Sequence, residues 1–316
     1  MEKSKLKKIN ELQSANGHRP TANNLKMLTT EEILKKVRVL EIKSKRLTNH
    51  MFTGEYHSAF KGMGMSYKEV REYQPGDDVR FIDWNVSARY AHAYIKVFEE
   101  ERELSVFLLI DNSASISFGS QVQRKKDLVT EIAAVLAFSA VNNQDKVGAI
   151  LFGEKVEKLV VPKKGKQHTL FIVREMLSND AVSGKTNYTD AFRVFNNTSK
   201  RKSICFLISD FLGAGFEDAI RVASRKHDVI GIKIYDQLDR KLPDAGMLQV
   251  NDAETGELRL LNTSDKMVRY EYEQDFHRHI NYVSEVFKKA GADLLHICAG
   301  EDYVKVLQKF FINRSK

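Results

Sequence analysis

From residue 105 onward the apolar positions fall into two alternating patterns. Short, mainly apolar runs occur at Val106–Ile110 (VFLLI), Val147–Phe152 (VGAILF), Val156–Val161 (VEKLVV), Ile204–Ile208 (ICFLI), Val229–Ile234 (VIGIKI) and Asp293–Cys298 (DLLHIC). Their length and composition suit strands buried on both faces, and the third suits a sheet edge. Between them, apolar residues recur every three or four positions. Residues 124–142 place Leu128, Ile132, Val135 and Leu136 on one helical face, and further helices are predicted over 168–178, 188–198, 216–226 and 267–290, with a last helix ending the chain. Residues 247–261 read as a hairpin around Thr255-Gly256. Buried strands alternating with amphipathic helices predict a doubly wound α/β domain with helices on both faces of the sheet. No internal repeat or low-complexity tract interrupts the pattern.

The first third of the chain reads differently. Residues 1–28 hold few apolar residues and the turn signals Asn16-Gly17 and Arg19-Pro20, which predict a flexible basic arm. Thr29 and Glu32 stand at capping-box spacing, and Ile33, Leu34, Val37 and Leu40 follow at helical spacing. A helix over 30–46 is expected, within a segment spanning 29–50. Residues 51–103 are rich in Tyr, Phe and Val, with glycines at 54, 62 and 64 and a Pro75-Gly76-Asp77 turn. They predict a small β-rich extension packed on the main domain, which then occupies 104–316.

Composition narrows the class. A chain of 316 residues fits two domains, or one large α/β domain with an extension, and it buries a core without disulfides. Hydrophobic residues at 42% and charged residues at 29% place it with soluble globular proteins. Cys205 and Cys298 lie inside predicted strands, as core thiols rather than a disulfide framework. The most apolar stretch, Ile132–Val141, is about half the length of a membrane span, and no apolar region follows the basic N-terminus. A cytoplasmic protein without a membrane span is expected. The net charge is +8, but residues 1–46 hold twelve Lys/Arg against five acids and so carry seven of the eight. A basic tail can bind nucleic acid or an anionic surface. A solvated tail and helix face explain the same charge, and nucleic acid is not the main partner expected.

In a doubly wound sheet, ligands bind beyond the carboxyl ends of the strands where strand order reverses. For the order 3-2-1-4-5-6 that point lies between strands one and four. Strand one ends in Asp111-Asn112-Ser113-Ala114-Ser115 and strand four in Ser209-Asp210. A third polar segment, Gly184-Lys185-Thr186-Asn187-Tyr188-Thr189, can lie on the same rim. These hydroxyls and carboxylates are hard oxygen donors, suited to Mg²⁺ or Mn²⁺ rather than zinc or copper. Asp111, Ser113 and Ser115 alone read equally well as side-chain turns that cap the next helix. The acidic end of strand four and the Thr-bearing loop shift the balance to metal binding.

Asp111-x-Ser113-x-Ser115, then Thr186, then Asp210 resembles the metal-ion-dependent adhesion site of von Willebrand factor A domains. GEYHSAFKGMG, VREYQPGDDVRFIDWNVSAR, KVGAILF and LISDF resemble the DUF58 family, bacterial proteins of unknown function with a von Willebrand A-like core, over about residues 35–312. The resemblance implies a non-enzymatic, metal-dependent interaction domain. It implies that Ser113 and Ser115 ligate the ion, that Thr186 does so directly or through water, and that Asp111 and Asp210 act mostly through water. A partner's acidic side chain would complete the octahedron. The family is typically encoded beside a MoxR-type AAA+ ATPase, which implies a chaperone-like partnership on client proteins, with peripheral association to membrane partners in scope. Ile116 stands where many relatives have Met, but it is not a ligand.

Other chemistry fits less well. Gly184-Lys185-Thr186 has the tail of a P-loop, but Asn179 stands where the motif needs its first Gly. Ser113 stands where an aspartyl-phosphate phosphatase needs a second Asp. No Gly-x-Ser-x-Gly elbow occurs. His277 and His279 are expected on the surface. The stretch from Pro75 to Arg89 is either a partner surface, with Trp84 as anchor beside Asp78 and Arg80, or an Asp/Arg network that fastens the extension to the core. The second is favoured. A metal-dependent phosphoester hydrolase is the alternative to the adaptor, motivated by metal-bound water as a nucleophile.

Overall fold

A computed structural model describes residues 30–47, 60, 65–90, 92–100, 104–117, 124–179, 186–251 and 258–314. The N-terminal part contributes helix α1 (Thr30–Leu47), strands β1 (Met65–Glu72) and β2 (Tyr94–Glu100), and helix α2 (Trp84–Tyr90) between those strands. The rest runs β3 (Ser105–Asp111), α3 (Lys125–Asn142), β4 (Lys146–Phe152), β5 (Val156–Lys163), α4 (Lys166–Ser178), α5 (Tyr188–Thr198), β6 (Ile204–Ser209), α6 (Phe216–Ser224), β7 (Asp228–Tyr235), α7 (Gln237–Arg240), β8 (Met247–Asn251), β9 (Leu258–Asn262), α8 (Lys266–Ala290), β10 (Asp293–Cys298) and α9 (Tyr303–Arg314).

Six strands form one sheet in the order β10-β7-β6-β3-β4-β5. Counted along the chain, this is the expected 3-2-1-4-5-6 arrangement, with the reversal between β3 and β6. Every neighbouring pair is parallel except β4 and β5. Only Gly153, Glu154 and Lys155 join those two strands, too few for a parallel crossover, so β5 turns back as an antiparallel edge.

The strands' period of two divides the core. Val106, Leu108 and Ile110, with Ile204, Phe206, Ile208, Ile230, Ile232 and Ile234, face α1, α3, α4 and α9. Phe107, Leu109, Ile150, Phe152, Cys205, Leu207 and Val229 face α5, α6 and α8. Both faces are covered, which is why these strands read as mainly apolar runs. On the second face Phe287 packs directly onto Gly231, where a Cβ would come within 2.3 Å of its ring.

α3 departs from the single apolar face expected of it. Val129, Ala133, Ala134, Ala137 and Phe138 are buried along with Leu128, Ile132, Val135 and Leu136. The cause is α1, which packs across α3 and α4 and buries Val37 and Leu40 in the same core. Lys36 pairs with Asp127 at 3.7 Å, and Glu41 pairs with Lys166. The arm at 1–28, the Thr29 cap and the Thr255-Gly256 turn lie outside the described residues.

Among the described residues the extension is an antiparallel β1–β2 ribbon with a 3-10 turn at Val79–Phe81 and α2 inserted between its strands. Its Asp/Arg network has a role different from the one expected. Arg71 grips Asp77 with two bonds of 2.7 Å, and Asp78 caps the 3-10 turn through Arg80 N at 3.0 Å while holding the Arg80 guanidinium. Asp83 caps α2 through Asn85 N and Val86 N. These bonds tie the extension to itself, not to the core. A contact with the core comes from Phe60, edge-on to Phe206 and Phe311.

Candidate functional site

The carboxyl end of β3 lies at the centre of the sheet, beside the end of β6. Ile110 pairs with Ile208, so Asp111 emerges next to Ser209. Ser209 Oγ donates to Asp111 Oδ2 at 2.5 Å, and Ser113 N donates to Asp111 Oδ1 at 2.9 Å. Beyond Ser113 the chain makes a 3-10 turn, Ala114–Ser117, which brings Ser115 Oγ to 3.0 Å from Ser113 Oγ. The Ser115 hydroxyl also bonds the Asp210 carboxylate. Asp111, Ser113, Ser115 and Asp210 therefore form one connected buried cluster.

Thr186 is buried on the same rim. Its Cβ lies where a Cβ on Gly213 would come within 3.0 Å, so Gly213 allows the Thr186 segment to close against the loop that follows Asp210. That loop holds Phe211 at φ +55°, a left-handed backbone uncommon for a bulky residue. Phe211 is held there by Tyr188, stacked at 6.1 Å, and by Phe216 and Phe287 edge-on. Packing thus fixes the backbone on which Asp210 sits.

Two lysines complete the rim, and sequence reasoning missed both. Lys125, the first residue of α3, is 1% exposed and reaches Asp210 Oδ2 at 3.0 Å and Asp239 Oδ2 at 3.2 Å. Lys233, in β7, donates to the backbone carbonyl of Asp210. Each left a signal. Lys233 interrupts the apolar run VIGIKI, and a lysine inside a buried strand needs an acceptor. Lys125 sits at a helix N-terminus, where a cation opposes the helix dipole unless an anion holds it.

The charges respond accordingly. Burial first, and then the Asp210 charge, pushes the Asp111 carboxyl up to about 7. Burial works in the same direction on Asp210, but Lys125 and Lys233 outweigh it and hold Asp210 below its ordinary value. Lys125 stays above its ordinary value because Asp210 and Asp239 outweigh its burial. Lys233 is lowered by burial to about 8.

A cavity of about 320 Å³ opens beside Asp210, lined among others by Leu212, Lys233, Asp239, Tyr272, Phe276 and His279. His279 is thus not the surface residue expected. It is half-buried, and desolvation lowers it to about 4. His277 is exposed as expected. Trp84 is 71% exposed, on an extension that also exposes Val79 and Tyr90, while Asp78 and Arg80 pair with each other.

The oxygen donors suit a hard divalent ion, but the charge around them does not. Lys125 occupies the Asp210 carboxylate and Lys233 its carbonyl, so two ammoniums already stand against Asp111, Asp210 and Asp239. The residues present do not fit Mg²⁺ or Mn²⁺ in the way the ligand set alone implies.

Sheet order and rim define a doubly wound α/β protein with a polar centre at its topological switch point. Residues 69–282 match the model of "Protein of unknown function DUF58", and the chain belongs to that family. It is similar to "Uncharacterized protein Rv1480" of Mycobacterium tuberculosis, 29% identical over 283 residues and covering 89% of each chain. Among solved structures, it resembles the conserved hypothetical protein BatB of Bacteroides thetaiotaomicron at TM-score 0.42 and 13% identity, over 67% of this chain and 98% of the other. It resembles the SpRpn10 VWA domain at TM-score 0.39 and 11% identity, over 65% and 94%.

Proposed function

We propose that this chain is a non-enzymatic protein-interaction domain that docks partners at the carboxyl edge of its sheet. In this reading it serves a MoxR-type AAA+ ATPase in chaperone-like assembly of client proteins. The observation that carries it is the cavity beside Asp210. It is lined by Asp210, which Lys125 holds from behind, by Lys233, and by Leu212, which is 52% exposed, with Tyr272 and Phe276. An exposed leucine beside aromatic side chains, bordered by Asp239, Asp275 and His279, has the anatomy of a protein interface, an apolar and aromatic patch with a polar rim. Trp84 supplies a second exposed anchor on the extension.

Among the described residues no helix is long and apolar enough to cross a membrane. The proposed setting is the cytoplasm, with peripheral contact to membrane-associated partners. The test is direct binding of the purified chain to the MoxR-type ATPase of the same genome, comparing wild type with Leu212→Asp. A charge at the mouth is expected to weaken binding by about tenfold or more, as loss of an interface anchor does. Equal affinities would take the rim out of the interface. No binding by wild type would remove the ATPase as partner.

A further inference from the structure

We propose that Lys125 is the resident cation of the rim, so that the Asp111, Ser113, Ser115, Asp210 centre is built to work without a divalent ion. The inference deepens the docking role proposed above and rests on it only for its consequence, that partner binding is indifferent to chelators.

Three observations converge. The first is position. The Lys125 ammonium is 1% exposed and bridges Asp210 at 3.0 Å and Asp239 at 3.2 Å. An ion that takes Asp210 Oδ2 would have to displace it, and displacement would leave a buried ammonium with Asp239 alone at a helix N-terminus, where the dipole repels it. The second is charge balance. Lys125 and Lys233 together offset two of the three carboxylates, Asp111, Asp210 and Asp239. A divalent ion would turn a nearly balanced buried cluster into one with excess positive charge, in surroundings that screen little.

The third is hydrogen bonding. Both Asp111 oxygens accept protein donors, Ser113 and Ser115 bond each other, and Asp210 Oδ1 accepts from Leu212 N at 3.3 Å. Among the described residues, the buried polar side-chain atoms that lack a partner include none from these four residues or Thr186. Asp111, Ser113, Ser115 and Asp210 are satisfied by the chain itself, and the cation beside them is part of the fold.

The experiment titrates the full chain with Mn²⁺ by calorimetry, as wild type, as Lys125→Met and as Lys125→Met/Ser113→Ala. Wild type is expected to give no binding that depends on the rim. Lys125→Met frees the Asp210 carboxylate and is expected to gain Mn²⁺ affinity by about tenfold or more, since a competing unit charge has gone, and the added Ser113→Ala should remove the gain. Stoichiometric Mn²⁺ binding by wild type that Ser113→Ala abolishes would overturn the proposal. So would a folded Lys125→Met that gains nothing. If Lys125→Met does not fold, the wild-type melting temperature decides. No shift between excess Mn²⁺ and EDTA supports the proposal, and a shift that Ser113→Ala removes overturns it. None of these readouts involves the ATPase, so failure of the docking role and failure of this inference are separable.

Discussion

At the scale of single residues, Asp111 and Asp210 are chemically alike and energetically opposite. Asp210 is the counter-ion of a buried ammonium, whereas Asp111 is a buried carboxyl facing another carboxylate. Asp210→Asn leaves Lys125 with Asp239 alone and is expected to cost about 3–5 kcal/mol, as breaking a buried pair does. Asp111→Asn keeps the shape and removes a repulsive charge, so the loss in urea unfolding should stay below about 1–2 kcal/mol. His227 gives a pH handle. It is buried against Phe195 with neither ring nitrogen bonded, and burial lowers it to about 4. Its folded pKa lies below its unfolded value. Its neutral form therefore contributes fully above about pH 6.5, and that contribution is lost as pH falls toward 4. Relative to wild type, His227→Leu should gain about 1–3 kcal/mol across that window, read from urea midpoints at several pH values. The acids and serines of the rim were legible because strand ends announce themselves in sequence. Lys125 and Lys233 were not, because what permits their burial is Asp210, 85 and 23 residues away.

Elements show the same limit in another form. The strands and main helices were readable from periodicity, and β5 could have been placed as antiparallel from its three-residue connection alone. The apolar circumference of α3 was not readable as such, since periodicity reports which face is apolar and not which element covers it. α1 supplies the cover. Leu40→Ala should therefore cost about 2–3 kcal/mol in thermal or chemical unfolding, far more than its place on a Lys/Arg-rich helix suggests. Gly231→Ala should cost about 1–3 kcal/mol, because the new methyl meets the Phe287 ring. The short helix α2 escaped notice because its seven residues carry too little periodicity. Its one sequence signal is Asp83, which caps it through Asn85 and Val86.

Across the whole molecule, the basic excess belongs to two different things. Part of it lies before residue 30, and part of it is the outer face of α1, a structural helix bearing Lys35, Lys36 and Arg38. The two parts separate by truncation. Deleting residues 1–29 should leave the melting temperature within a few degrees while abolishing any salt-sensitive polyanion binding seen in a gel shift. Deleting 1–46 should lower the melting temperature markedly, because it uncovers α3. A gel shift that survives the shorter deletion would place the binding on the folded body.

The bridge from Lys125 to Asp210 and Asp239 also bears on when the rim becomes competent. A dissociable ion has to be acquired after folding, from a pool whose concentration changes with growth conditions. A charge carried on a side chain is present in a fixed ratio of one per molecule from synthesis onward. On the docking role and the resident cation proposed above, the rim matures in the same event that seats α3 on the sheet, and its engagement then follows the partner alone.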